Sequence, residues 1–248
     1  MQNGIGVVAL KNSSRYSHLT PFSRRLAALN LVGIVTNAAG PAAVAPHGSY
    51  TPLFGTNPIS ISFPGCATPA GLNSDALVID MATSQAPWGE IRQAMVEGRE
   101  LSPATFYTQT GAYAQQPHEA NAVKVHGGAK GYALCLAIEV LCGALIGTQM
   151  GKRVGTEYDL GFLFIAFDPL MFRESIQAFT DELAELKHDI RQAAPLPGEK
   201  TVRLPGERAH ALYQAHQKAG VIALDPHTWE LLCAMAHDPS AGMTANQQ

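Results

Sequence analysis

The stretch Gly127–Leu145 reads GGAKGYALCLAIEVLCGAL. Two glycines, a lysine and a third glycine open directly into a long apolar run. Three structures fit such a pattern: a phosphate cradle, an ordinary helix start with an incidental lysine, or a membrane span. A Walker-type loop needs G-x-x-x-x-G-K-[ST], with a hydroxyl after the lysine to hold magnesium. Here Gly131 follows Lys130, so that reading fails. No G-x-G-x-x-G follows a predicted strand either. The apolar part, Leu134–Leu145, is too short for a comfortable span and contains Glu139, so a buried helix of a soluble domain is expected. A helix N-terminus carries unpaired N–H groups and the positive end of a dipole. Glycines let an anion approach closely, and Lys130 adds a full charge, which together suit a phosphate or carboxylate. The plainer alternative is a glycine-rich turn with a solvated lysine. The stretch alone leaves both open.

Working outward, the chain has 248 residues, is 46% hydrophobic and only 15% charged. That is enough to bury one large core or two modest ones. The formal net charge is −3, and no basic tail or run appears, so a nucleic-acid partner is not expected. Acidic clusters are too few for calcium loops. The four cysteines are Cys66, Cys135, Cys142 and Cys233. They form no C-x-x-C, and two of them sit in the apolar run as small hydrophobes. A reducing, cytoplasmic compartment is expected. The opening MQNGIGVVALKN has neither a basic region nor a long apolar core, so no signal peptide is read there.

The order of elements is mixed α and β. Gly4–Leu10 reads as a strand, Thr20–Leu31 as a helix ended by Gly33, and Gly33–Asn37 as the next strand. Ala38–Pro58 is rich in Ala, Pro and Gly and reads as loop. Ile59–Phe63 alternates as a half-buried strand. Ala76–Ala82 is a near-continuous apolar strand, and Trp88–Gly98 a helix. Pro103–Glu119 is irregular. Gly131–Gly147 is the apolar helix and Gly161–Phe167 a buried strand. Asp168-Pro169 supplies an N-cap and first turn for a helix whose stripe is Phe172, Ile176, Phe179, Leu183, Leu186 and Ile190. A last helix is expected near Ala209–Lys218, with a frayed tail over Asp238–Gln248.

Several motifs admit both a functional and a plain reading. RLPGER (Arg203–Arg208) sets two arginines around a Pro-Gly turn, either to grip phosphate or to sit on a surface. Asp80 ends an apolar strand, where ligands often lie, or it caps a turn. Glu90, in PWGEIR, is favourable near any helix start. In GTNPIS, Thr56 can bond a substrate carboxylate, or Thr56 and Asn57 can hold their own loop. The polar cluster NSSRYSHL, with His18, either binds phosphate or forms a capped loop. His47 and His126 fall in loops. The nine histidines show no metal-ligand spacing, so no metal is expected.

In their order, GIGVVALKNSS, GTNPISISFP, VIDMATS…GEIR, GGAKGYAL, FIAFDP and RLPGER resemble one family. It is the malate/L-lactate dehydrogenase-type oxidoreductases that lack a Rossmann domain, with relatives acting on sulfolactate, ureidoglycolate, diketogulonate and cyclic imino acids such as piperideine-2-carboxylate. The match runs from Gly4 to Arg208. The resemblance implies an α/β, non-Rossmann NAD(P)-binding domain on a largely antiparallel sheet with surrounding helices, as a homodimer. It implies a core over residues 1–200 and a closing loop, helix and tail over 201–248. It implies NAD or NADP as cofactor and a small 2-oxo or 2-hydroxy acid, or a cyclic imine, as substrate. The loop after the first strand would contact the nucleotide through Arg15, Tyr16, Ser17, His18 and Leu19. Further cofactor contacts would be Asp80, Met81, Ala82, Trp88, Gly89, Ala129 and Lys130. The closing loop would add Arg203, Leu204, Pro205, Gly206, Glu207, Arg208 and Ala209. Thr56 would touch substrate, and Glu90 would be the acidic partner of a catalytic histidine.

Two departures accompany the resemblance. The family loop usually reads N-S-S-H-F, with an acid/base histidine in some members. Arg15 stands there, stays protonated, and would instead hold a carboxylate or a phosphate. The family also carries a segment before the first matched strand with a serine, a proton-donating histidine and a carboxylate-binding arginine. This sequence opens three residues before that strand. A truncated chain is therefore expected, with those groups supplied by another subunit or the activity lost, as in a cofactor-binding or dimerising remnant.

Overall fold

In a computed structural model the chain is described over residues 3–237, apart from 15, 39, 67–74, 156 and 157. It divides into two units, Met1–Gly206 and Glu207–Gln248. Among the described residues, the first holds eight strands and four α-helices. In chain order these are β1 (Ile5–Ser13), α1 (Thr20–Ala28), β2 (Val32–Ala38), β3 (Val44–Ala45), β4 (Ile59–Phe63) and β5 (Leu77–Met81). There follow α2 (Gly89–Glu97), β6 (Phe106–Tyr107), β7 (Ala122–Lys124), α3 (Ala129–Cys142), β8 (Leu160–Phe167) and α4 (Ile176–Gln192). The second unit holds α5 (Glu207–Ala219) and α6 (Pro226–His237).

The main sheet has the order β1-β8-β2-β4-β5, with every neighbouring pair antiparallel. A smaller sheet has the order β3-β7-β6, with β3 parallel to β7 and β6 antiparallel to it. The expected largely antiparallel architecture is thus what forms. Within it, Ile59–Phe63 alternates half-buried and buried along its length, as a strand with one covered face must.

Helix α1 lies against β2, β4 and β5. Its contact with β4 is partly polar. Ser23 Oγ lies 2.7 Å from Ser60 Oγ, and Ser62 Oγ donates to the Ser23 carbonyl at 2.7 Å. On the far side of β2, α3 inserts Ile138 and Cys142 against Ala38 and Leu163. A second core sits under the small sheet, around Phe106, Val44, Val123 and Cys135.

Several expectations need correction: α6 follows the helix expected to be the last, β6 pairs with β7 inside the stretch Pro103–Glu119 expected to be irregular, and three further points concern α3, α4 and β3. The apolar run of α3 is buried on one face only, through Cys135, Ile138, Glu139 and Cys142. Leu136, Val140, Leu141 and Leu145 are exposed, because a helix laid on a sheet turns half of its surface away. The helix after Asp168-Pro169 is broken. Asp168 Oδ1 accepts from Leu170 N at 3.0 Å and caps a single 3-10 turn over Pro169–Met171. The long helix starts afresh at α4, where Ser175 Oγ accepts from Ala178 N, so Phe172 belongs to no apolar stripe and is exposed. Finally, Ala38–Pro58 is more than loop: β3 pairs there with β7. The expected frayed tail, 238–248, falls outside the described residues.

Candidate functional site

The site is built where the two sheets of the first unit join. After β5 the chain continues through Ala82 into Thr83 and Ser84, leaving the main sheet and pairing with the extension of β7. Ser84 bridges Val125. Gln85 N donates to the Lys124 carbonyl, and His126 N donates to the Thr83 carbonyl, both at 2.8 Å. Gly127, Gly128 and α3 follow His126 immediately. Backbone pairing therefore sets the end of β5, Asp80-Met81, and the Ala82 that follows beside the glycine-lysine turn that opens the sequence argument.

A third segment is locked to the same point. Thr83 N donates to the Thr56 carbonyl at 3.0 Å. Thr83 Oγ1 donates to the Thr56 and Asn57 carbonyls at 3.0 and 3.1 Å. Asn57 has a positive φ of 37°, an uncommon conformation for a residue other than glycine. It is held there from below: its Nδ2 donates to Glu139 Oε2 at 2.7 Å and to the Cys135 carbonyl at 3.2 Å. Glu139 Oε1 accepts from Gly151 N at 2.7 Å. Both oxygens of this buried carboxylate are thus bonded, as burial of a charge requires. The acid that argued against a membrane span is a support beneath the site.

The start of α3 is shaped by close approach. A Cβ on Gly131 would lie 1.6 Å from the His126 carbonyl oxygen, so only glycine lets the helix begin against that strand. Gly128, the N-cap residue, has a φ of 61° and offers no side-chain cap. Among the described residues, the N–H groups of Ala129 and Lys130 have no acceptor, and the exposed Lys130 has no ion pair. Unpaired backbone donors and an ammonium group thus stand together at the head of α3. That donor set fits an anion such as a nucleotide phosphate.

Asp80 faces the other way along β5. Its Oδ2 accepts from Thr20 N at 2.7 Å and from Thr20 Oγ1 at 2.6 Å. It thereby caps α1 from an adjacent strand, while Leu19, the N-cap residue, supplies no side-chain bond. His18 Nδ1 lies 4.0 Å from the same oxygen. The loop before α1 is pinned at its other end by Tyr16. The Tyr16 hydroxyl donates to buried Asn37 Oδ1, and its ring lies 4.7 Å from that of Phe162. Burial, with a smaller contribution from Asp80, pushes the Tyr16 phenol well above its ordinary range. Tyr16 is thus an anchor for the loop and Leu19 is buried in the core with it, while Ser17 and His18 are exposed. Arg15 lies outside the described residues.

The remaining candidates divide. Gly206 backs directly onto the Val78 carbonyl of β5, and Leu204 is buried. Gly206 thus lies against the strand that carries Asp80, with Arg203 and Pro205 exposed. Glu207, Arg208 and Ala209 open α5 in the second unit. Met81 and Trp88 are exposed and Gly89 begins α2. Glu90 Oε1 accepts from Ser102 N and Oγ, at 3.2 and 2.6 Å, and lies 3.6 Å from Arg99 Nη1. No histidine is bonded to it among the described residues. No group of three or more His, Cys, Asp or Glu able to hold a metal is found among the described residues, and no described helix is long and apolar enough to cross a membrane. Sequence reasoning missed Thr83. Its role comes from four long-range hydrogen bonds, and a threonine just past the end of a strand carries no local mark of them.

Against known proteins, a sequence model described as malate/L-lactate dehydrogenase matches residues 1–233. The chain is 29% identical to a ureidoglycolate dehydrogenase (NAD(+)) of Escherichia coli O157:H7, over 83% of this chain and 59% of that protein. It is 35% identical to Delta(1)-pyrroline-2-carboxylate reductase 1 of Burkholderia ambifaria, over 84% of this chain and 60% of that protein. Among solved structures, a putative malate/lactate dehydrogenase from E. coli superposes with a TM-score of 0.80 at 26% identity, over 99% of this chain and 70% of that one. The chain belongs to the malate/L-lactate dehydrogenase family, a family of oxidoreductases. It spans about three fifths of the length of the curated relatives just described.

Proposed function

We propose that this chain forms the nicotinamide-nucleotide-binding part of an oxidoreductase that interconverts a 2-hydroxy acid and its 2-oxo acid. One observation carries the reading. Thr83 ties the end of β5 at Asp80–Ala82, the Thr56 turn and, through His126, the glycine-lysine turn into one frame. Bound NAD(P)H would supply a hydride for the substrate's C2. Lys130 and the free N–H groups of Ala129 and Lys130 would hold a nucleotide phosphate. Met81 and Ala82 would line the nucleotide's path, and Tyr16 and Asp80 would keep His18 and Ser17 facing it. Arg203 to Gly206 would close over it, with Trp88 and Gly89 at its margin.

Thr56 would donate to the substrate carboxylate, with Arg15 as a fixed cation for that carboxylate or for a cofactor phosphate. Hydride arrival at C2 leaves an alkoxide that a general acid must protonate. Glu90 would orient a histidine serving that purpose. The assembly would be a homodimer in the cytoplasm.

The test is NADH and NADPH oxidation by the full chain with pyruvate, oxaloacetate and a cyclic imino acid, run beside fluorescence titration of each cofactor. Oxidation dependent on a 2-oxo acid is the expected result. Cofactor binding without turnover on any of them would contradict the activity, and absence of binding would contradict the whole reading.

A further inference from the structure

We propose that Thr83 is a positioning residue that fixes the substrate side of the site independently of the cofactor side; this rests on the reading of Thr56 as a substrate contact and of Lys130 as a cofactor contact. Thr83 is almost wholly buried, so it touches neither ligand. Its backbone and its side chain do different things. The backbone carbonyl accepts from His126 N, and the backbone N–H donates to the Thr56 carbonyl. These bonds join β5 to β7 and set the start of α3. They are made by any residue at this position. The hydroxyl alone reaches the Thr56 and Asn57 carbonyls together.

One of these two contacts falls on Asn57, whose backbone is left-handed. Asn57 keeps a φ of 37° because bonds to Glu139, to Cys135 and from Thr83 constrain it from two sides. A sparsely populated conformation persists only when its surroundings over-determine it. Removing the hydroxyl removes one of the two sides, and it also strands two buried carbonyl oxygens with fewer donors. The Thr56-Asn57 turn is then free to relax, and with it the direction of the Thr56 side chain. The pairing of Thr83 with His126 is untouched, so Lys130 keeps its place. Thr83 therefore separates the two halves of the site: its main chain ties the Thr56 turn and the start of α3 into one frame, and its hydroxyl holds the Thr56-Asn57 turn on the substrate side.

The experiment compares the full-length wild type with Thr83→Val, which keeps the shape and loses the hydroxyl, and with Thr83→Ser, which keeps the hydroxyl. Each protein is titrated with NADH and NADPH, and then, saturated with cofactor, with oxamate as a non-reducible 2-oxo acid analogue. Thr83→Val is expected to weaken oxamate about tenfold while changing the cofactor dissociation constant less than twofold. Thr83→Ser is expected to restore oxamate binding to within about threefold of wild type. Equal losses for both ligands in Thr83→Val, or no loss for oxamate, would overturn the proposal. Failure of Thr83→Ser to restore binding would do the same. Should Thr83→Val fail to fold, Thr83→Ser against Thr83→Cys reads the same split through a weakened donor. A wild type that binds neither ligand would instead overturn the proposed function, and this inference with it.

Discussion

Asp80 shows what one side chain does for this site. Its carboxylate takes both the N–H and the hydroxyl of Thr20, so a residue of β5 performs the work of an N-cap for α1. The Asp80→Ala substitution is expected to cost about 1–2 kcal/mol of stability in a denaturant titration. Adding Thr20→Val should cost little more, because both remove the same interaction. A fully additive double variant would mean that Asp80 and Thr20 act separately. The sequence offered Asp80 as a ligand contact or as a cap, and nothing local chose between them, since its partner is sixty positions away. The same holds for the cysteines. Burial pushes the Cys135 thiol up to about 11 and the Cys142 thiol up to about 12. Both values lie above that of a free thiol, about 8.5. The stability carried by the neutral thiols is therefore complete below about pH 8.5 and is lost as pH rises toward the folded-state values. At pH 8 iodoacetamide should alkylate both about a hundredfold or more slowly than a peptide thiol. Equal rates, followed by mass spectrometry, would show that these side chains are not enclosed.

At the scale of elements, the junction of α3 with β7 decides the geometry. The sequence marked this helix clearly, because a long apolar run after glycines has few other readings. It did not mark which half of the run is covered. Glu139 shows why. A carboxylate in an apolar helix reads as the wet side, yet here it is buried against Asn57 and Gly151, and leucines face outward. Pairing of a polar residue with distant polar partners overrides the hydrophobic pattern, and no periodicity records it. The break after Asp168-Pro169 has a related cause. Two capping residues, Asp168 and Ser175, compete for one helix start, and the second wins the long helix. The glycine at the head of α3 gives the sharpest test at this scale. Gly131→Ala forces a methyl to within 1.6 Å of the His126 carbonyl oxygen. The variant should lose about 3 kcal/mol or more of stability, measured by thermal or chemical unfolding. A loss under about 1 kcal/mol would show that the helix start is not pressed against this strand.

Over the whole molecule, the family, and through it the largely antiparallel sheet, were legible from six short motifs in order, and Ile59–Phe63 was legible as a strand from its unbroken alternation. The arrangement of the site was not legible, because it depends on how two sheets meet. The Thr83 and His126 backbones make that junction, and backbone hydrogen bonds leave no trace in side-chain identity. What the fold does explain is why distant motifs belong together: β5 and β7 leave their sheets side by side, and the Thr56 turn is bonded to the crossing point. The central claim is that this crossing carries a nicotinamide nucleotide, with its phosphate at the head of α3. The direct measurement is fluorescence titration of the full chain and of Lys130→Ala with NADH and with NADPH. The account predicts binding by the wild type and a loss of about 1–3 kcal/mol in the variant, the value of a charged hydrogen bond. An unchanged dissociation constant in Lys130→Ala would contradict it.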